Sequence, residues 1–371
     1  MPSGLQFVLA SPANEPQLRK LLRDNPVGGT IRIALEREPD AFRAAAVSGD
    51  RYELILAYAE NSDVLLGAGA RFELDAYVNG AQQRLGYLGE LRIQGGLKQR
   101  RTLLVEAYRA LRRFHEAGTA RFYLTTIIAD NTPTRRLLEA GLADMPTYQP
   151  LESMVTFTIP SAAGARRRSA SRNVAGGAQI DLADVAARLA KHGPDYQFHP
   201  VWSEESLRSP GRCRDLAPQD FFLCSDGDQP VGCLALWDQR NFKQTVIRGY
   251  AARLARLRPL ANFVAPLLGR PRLPAPGARL ESAFLSHVAV AADDTETLVA
   301  LIGEACREAL RRGLDYVMLA FAERNPLAAA IRNRFPCHSY VSMIYVVYWD
   351  DGASAAAHLD ARVPHPEVAV L

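Results

Sequence analysis

In Tyr87-Leu-Gly-Glu-Leu-Arg-Ile93 a carboxylate, Glu90, and a guanidinium, Arg92, stand two residues apart. On an extended strand that spacing puts both on one face. The acid could then take a proton from a nucleophile, or pair with its neighbour. A few residues on, Lys98-Gln99-Arg100-Arg101-Thr102 sets three cations ahead of apolar residues at 103, 104, 107, 108, 111 and 114, which is helical spacing. The open N–H groups of a helix start attract anions, and Thr102 is of a type that caps. Such a start can cradle a phosphate or pyrophosphate, or stand solvated. Asn131, just past an apolar strand at 122–128, is equally of a helix-capping type. The five cysteines lie in the second half and form no C-x-x-C pair, which argues against a zinc module or a disulfide scaffold, so no metal is expected.

The elements that must position these residues follow from periodicity. A strand at 7–10 and a helix at 15–22 precede three successive strands, 52–58, 64–74 and 85–93. Helix 102–115, a stop at Gly118, strand 122–128 and helix 133–140 follow, and 154–159 alternates like a closing strand. The second half repeats the order with strands 221–224, 231–237 and 283–290, helix 297–311, stop Gly313, strand 316–321 and helix 327–333. Setting Ile93 on Val290 brings Glu90 opposite His287 and Asn131 near Asn325. The matching order suggests two copies of one unit.

Length and charge agree. At 371 residues the chain exceeds the size of most single cores. Between the copies, 161–177 carries four arginines, no acid and few large apolar side chains, the composition of a connector. The net charge of +4 is contained in that stretch, and the neutral remainder argues against a nucleic-acid partner. No apolar run reaches the roughly 18 residues of a spanning helix, and the first residues lack the basic, apolar pattern of a signal peptide. A cytoplasmic location is expected. The Ala- and Pro-rich tail, 351–371, is expected to fray.

Strand, helix, three strands, helix, strand, helix, strand is an order that resembles the GNAT acetyltransferase superfamily. Two stretches carry the resemblance by residue type. They are Tyr87–Ile93 with the basic helix start, and Phe122–Asn131 with Arg135-Arg-Leu-Leu-Glu-Ala-Gly141. The resemblance implies an α/β fold of the α+β type: two tandem GNAT-like domains, 1–160 and 178–350, each a mixed, mostly antiparallel sheet flanked by helices. It implies acetyl-CoA or another acyl-CoA as co-substrate, held by Leu91, Ile93, Lys98, Gln99, Arg100, Arg101, Thr102 and Asn131. Glu90 is the implied general base for a small-molecule or peptide amine that attacks the thioester directly. A backbone N–H near Leu91–Ile93 would polarise the thioester oxygen. The family's tyrosine acid is matched by Leu138 here, which leaves Tyr148 as a substitute proton donor or a packed ring. The loop glycines of the family are also absent from Gln99–Thr102.

The second copy carries Asp293, Asp294 and Glu296 where pyrophosphate would sit, and like charges repel. It therefore reads as a degenerate copy. Within it, residues 239–280 hold nine basic side chains and no acid, interleaved with leucines and phenylalanine. That insertion, 240–280, is either a solvated helical segment or a peripheral membrane contact. An acyl-CoA or lipid-binding protein without catalysis, or a long-chain acyltransferase at a membrane surface, are the competing functional readings.

Overall fold

The computed structural model describes residues 4–28, 30–94, 100–168, 172–177, 180–227, 229–265 and 271–371. In chain order the first half contains Leu5–Leu9 (β1), Glu15–Asp24 (α1), Ile31–Glu36 (β2), Ala41–Ser48 (α2), Arg51–Ala59 (β3), Leu65–Val78 (β4) and Ala81–Ile93 (β5). Arg100–Glu116 (α3), Tyr123–Ile128 (β6), Thr132–Leu138 (α4) and Thr147–Pro160 (β7) complete it. Ser161–Gly164 (α5), Asn173–Gly176 (β8), Leu182–His192 (α6), Tyr196–Gln197 (β9) and Glu204–Leu207 (α7) lead into the second half. There follow Phe221–Asp226 (β10), Gln229–Trp237 (β11), Gln244–Tyr250 (β12), Ala252–Val264 (α8) and Ser282–Ala289 (β13). Thr295–Arg311 (α9), Tyr316–Ala322 (β14), Pro326–Arg334 (α10), His338–Tyr348 (β15), Ala353–Ala357 (α11) and Val363–Pro364 (β16) close the chain.

The fold is α/β. Twelve strands make one mixed sheet in the order β1-β3-β4-β5-β6-β15-β7-β14-β13-β11-β10-β8. Among the described residues of this sheet only β5–β6 and β13–β14 pair in parallel. The order mirrors itself about β15 and β7, because the final strand of each half has changed places. β15 pairs with β6 of the first half, and β7 pairs with β14 of the second. The expected pair of separate sheets is thereby fused into one.

Helices cover both faces in both halves. In the first half, α1 and α2 lie over one face around Leu18, Leu22, Leu56 and Phe72. On the other, α3 buries Leu104, Tyr108 and Leu111 against Leu88, Tyr123 and Tyr345. In the second half, α9 buries a continuous apolar stripe, Leu298 to Ala309, against β7 and β14, while α6 packs with Trp202 and Trp237 on the opposite side. The amphipathic spacing of these helices is what the sequence displays.

Two expectations about irregular segments are corrected. The stretch 161–177 is not a free connector over its described part. Arg307 of α9 donates to the carbonyls of Ala165 and Arg167, and β8 pairs with β10 as a sheet edge. The tail does not fray either. β16 pairs with β9, His365 N donates to Gln197 O at 2.8 Å, and Ala369 and Val370 are buried. Pro364, Pro366, Ala369 and Val370 are buried there, and that apolar burial opposes the entropy of ordering the segment.

Candidate active site

The parallel pair β5–β6 is registered only at Gly86↔Tyr123 and Tyr87↔Leu124, after which the two strands part. The closed end is locked. Arg71, fully buried, donates from Nη1 to Glu53 (2.8 Å) and from Nε to the Tyr123 hydroxyl (2.9 Å), and is also paired with Glu73. Gly86 is needed there, because a Cβ would fall 2.1 Å from the Tyr123 ring. Beyond that lock lies an open, wedge-shaped gap.

A β-bulge shapes the gap. On β4 the register advances from Ala68 to Ala70 while on β5 it moves three residues, from Arg92 to Gly89. One extra residue is thus accommodated on β5, and Glu90 takes the left-handed conformation, φ +55°. A non-glycine residue there costs on the order of 1–3 kcal/mol. Gly86 donates its N–H to Phe122 O on the β6 side (3.2 Å), whereas Gln94 donates to Leu66 O of β4 (2.8 Å). Successive strand N–H groups point to opposite edges, and the extra residue switches the parity. Leu91 and Ile93 therefore turn their N–H groups toward the gap.

Glu90 faces α1 and α2, with Leu18, Leu22, Ala45 and Phe72 lining the cleft beside it. Its expected partner, Arg92, instead donates to the Leu91 carbonyl at 2.8 Å. The partner is Arg37, just past β2, whose Nε and Nη2 both donate to Oε1 of Glu90, the first at 2.9 Å. Among the described residues no hydrogen bond reaches Oε2. Burial by itself would raise the Glu90 carboxyl, but Arg37, Arg92 and Lys243 outweigh it and hold it below the usual carboxylate range. The group is ionised at neutral pH.

Lys243, just before β12, completes the cluster. Its ammonium reaches Ser48 Oγ (3.4 Å) and the carbonyls of Ala369 (3.2 Å) and Leu371 (3.3 Å). Burial pushes it down to about 7, with repulsion from Arg37 adding to the effect. Sequence reasoning missed Arg37 and Lys243. Arg37 lies 53 positions from Glu90 with no local signal, and Lys243 was grouped with the surface cations of the insertion.

Other expected residues fall as follows. Arg100 and Arg101 begin α3 and are exposed at its start; Thr102 is also exposed, but it sits inside the first turn and so cannot be the cap. Lys98 and Gln99 lie outside the described residues. Asn131 precedes α4, is exposed, and its side chain makes no capping bond. Its counterpart Asn325 is buried and accepts the Leu327 N–H at 2.9 Å. Tyr148 is not brought to the site. It is buried under α3, on the other face from Glu90, with its hydroxyl bonded to that of Tyr108. Burial pushes it well above the ordinary tyrosine range, which makes it a poorer acid.

No family model and no curated protein matches the chain. Solved structures do. The Saccharomyces cerevisiae N-myristoyltransferase with bound myristoyl-CoA superposes with a TM-score of 0.60 at 13% identity, over 94% of this chain and 83% of that one. The fold is of the GNAT type. The same architecture recurs in the GCN5-related N-acetyltransferase from Anabaena variabilis, with a TM-score of 0.50 at 12% identity, covering 92% of this chain and 72% of that one. It also recurs in a glucosamine N-acetyltransferase region of a fungal multi-domain β-N-acetylglucosaminidase, with a TM-score of 0.63 at 10% identity, over 94% of this chain and 38% of that one. Among the described residues no helix is long and apolar enough to cross a membrane.

Proposed function

We propose that the chain is an acyl-CoA-dependent N-acyltransferase, with the thioester in the gap between β5 and β6 and a small-molecule or peptide amine as acceptor. The reading rests above all on one observation: the bulge at Glu90 turns the Leu91 and Ile93 N–H groups into the gap beside a carboxylate. Two donors aimed at one point can hold the oxyanion that develops as an amine attacks a thioester carbonyl. The C–N bond forms, the C–S bond breaks, and CoA leaves as its thiolate.

The incoming amine arrives largely as ammonium. Glu90 is suited to receive its proton on Oε2, directly or through water, while Arg37 keeps the carboxylate ionised and fixed. Arg100 and Arg101, with the unsatisfied N–H groups of the α3 start, would hold the pyrophosphate, and Asn131 keeps a side-chain amide available beside the gap. In this reading the first half, 1–160, carries the cofactor, 161–177 joins it to a degenerate copy at 178–350 with the basic insertion, and 351–371 packs back as a tail. Acetyl-CoA is the simplest donor, and the cytoplasm is the matching compartment.

Calorimetry with acetyl-CoA and a long-chain acyl-CoA, followed by thiol release over an amine panel, tests the reading. Binding with turnover on at least one amine is expected; absence of binding to either thioester overturns it. A non-catalytic acyl-CoA-binding protein is the second reading. It is favoured by the Arg37–Glu90 pair, which occupies one carboxylate oxygen, and it predicts binding without thiol release.

A further inference from the structure

Helix α8 packs on the rest of the molecule by one side only. The three most exposed large apolar side chains among the described residues all belong to it: Leu257 (58%), Leu260 (63%) and Phe263 (75%). At about 3.6 residues per turn they share an arc of about 120° with Arg253 and Arg256, both exposed. Pro259 lies inside the helix. On its packed side, where no residue is fully buried, Arg258 and Asn262 donate to the Leu273 carbonyl.

The patch continues past the helix. Ala251 N donates to Thr30 O at 2.8 Å, and β2 pairs with β12 so that Ile31 lies opposite Tyr250 and Arg32 opposite Gly249. Ile31 and Arg32 are both exposed. From Gln239 to Leu280 there is no acidic residue. Apolar side chains flanked by arginines, on a segment without an acid of its own, complement a surface that is apolar inside and negative outside. We propose that the exposed face of α8, with Ile31 and Arg32, docks on an anionic lipid bilayer.

The ribbon β2–β12 ties this face to the Glu90 cluster. Ile31 stands at the patch and Arg37 at the carboxylate, six residues along one strand, or roughly 20 Å at the rise of an extended chain. On the partner strand seven residues, one of them extra at the register shift between Ile247 and Gly249, separate Tyr250 from Lys243, which lies just before β12. On the function proposed above, a docked molecule holds its acid at the far end of a ribbon that starts at the surface, where amphiphilic substrates concentrate.

Flotation of the full chain with phosphatidylcholine vesicles, with and without phosphatidylserine, is the test. Binding about tenfold or more tighter to the phosphatidylserine vesicles is expected, weakening at high salt. The triple variant L257S/L260S/F263S should lose most of that binding, and R253E/R256E should lose the lipid preference, both with unchanged melting because every altered side chain is exposed. In F263W the new indole should shift to the blue with phosphatidylserine vesicles alone. Equal binding to both vesicles, or wild-type binding by the triple variant, overturns the proposal. It is overturned too if the wild type is a dimer that the triple variant abolishes, since the patch then joins two copies. An oligonucleotide that binds more tightly than the vesicles through the same arginines also overturns it.

Discussion

On β5 the residue at the bulge is an acid, and on β13 it is a histidine, yet the backbone around them matches. On β13 the register moves three residues, Ala289 to Ser286, against two on β11, and His287 adopts φ +53° where Glu90 has +55°. The parallel pair β13–β14 likewise stops early, at Phe284↔Met318. What differs is the filling. The second gap is occupied by the chain's own last residues. Glu367 accepts the His287 N–H at 2.8 Å, and the His365 ring packs 5.1 Å from that of Phe321 on β14. His287 is fully buried among Trp202, Phe221 and Trp237, with Ser286 Oγ 2.9 Å from its Nδ1, and burial lowers it to about 3, so it stays neutral at pH 7. The helix starts differ as well: Arg100 and Arg101 open α3, whereas Asp294 caps α9 and pairs with Arg172. A bulge and a splayed pair are a scaffold that is left open beside a paired acid in one half and closed by the chain's own carboxyl group in the other.

The sharpest way to break this comparison is at Glu90 and the arginine that holds it. Glu90→Gln should lower turnover by about 10²-fold with acyl-CoA affinity unchanged, measured by thiol release and calorimetry on one preparation. A near-normal rate would remove Glu90 as the base. Arg37→Gln should move the acid limb of the rate profile to higher pH, because losing the cation raises the carboxyl.

Glu367 gives the next largest effect. Burial pushes its carboxyl up to about 7, so between the unfolded value near 4.5 and pH 7 the folded state binds the extra proton. The stability it contributes is present below about 4.5 and is lost as pH rises through 7. Glu367→Gln removes that loss, so relative to the wild type it should be more stable at pH 8 than at pH 5, by on the order of 1–3 kcal/mol. Urea titrations at the two pH values check the sign. His199 and His365, also lowered by burial, titrate in both proteins and cancel in the difference.

The helix starts follow. Arg100→Ala with Arg101→Ala should weaken CoA binding about tenfold, and unchanged affinity would move the cofactor elsewhere. Asp293→Ala, Asp294→Ala and Glu296→Ala together should leave CoA affinity unaltered. Loss of the Asp294 cap should still lower stability by about 1 kcal/mol, visible as a reduced melting temperature.

Much of this was legible in the residues. The apolar spacing of 297–311 and the alternation of 85–93 locate α9 and β5, and equal element order puts Glu90 against His287 without any structure. The bulge itself was not legible: strict alternation placed Arg92 beside Glu90, and one extra residue removed it. Arg37 reaches the carboxylate, and Lys243 comes near enough for its charge to act on it, through the β2–β12 ribbon, a pairing more than 200 positions apart that no local pattern encodes. The exchange of β7 and β15 leaves no trace either, because a closing strand has the same alternation whichever half it joins. Tyr148 failed as an acid for a related reason, since its distance from Gly141 says nothing about which face of the sheet it serves.

That exchange has a consequence for the newborn chain. β6 is finished at Ile128, but its neighbour β15 does not begin until His338, about 210 residues later. At ~5–20 residues per second the ribosome needs on the order of ten seconds or more to supply it. Throughout that interval β6 has an unpaired edge of Thr and Ile, the kind of template on which strands from other molecules add. The first half thus leaves the ribosome incomplete and becomes safe only when nearly the whole chain has followed it out.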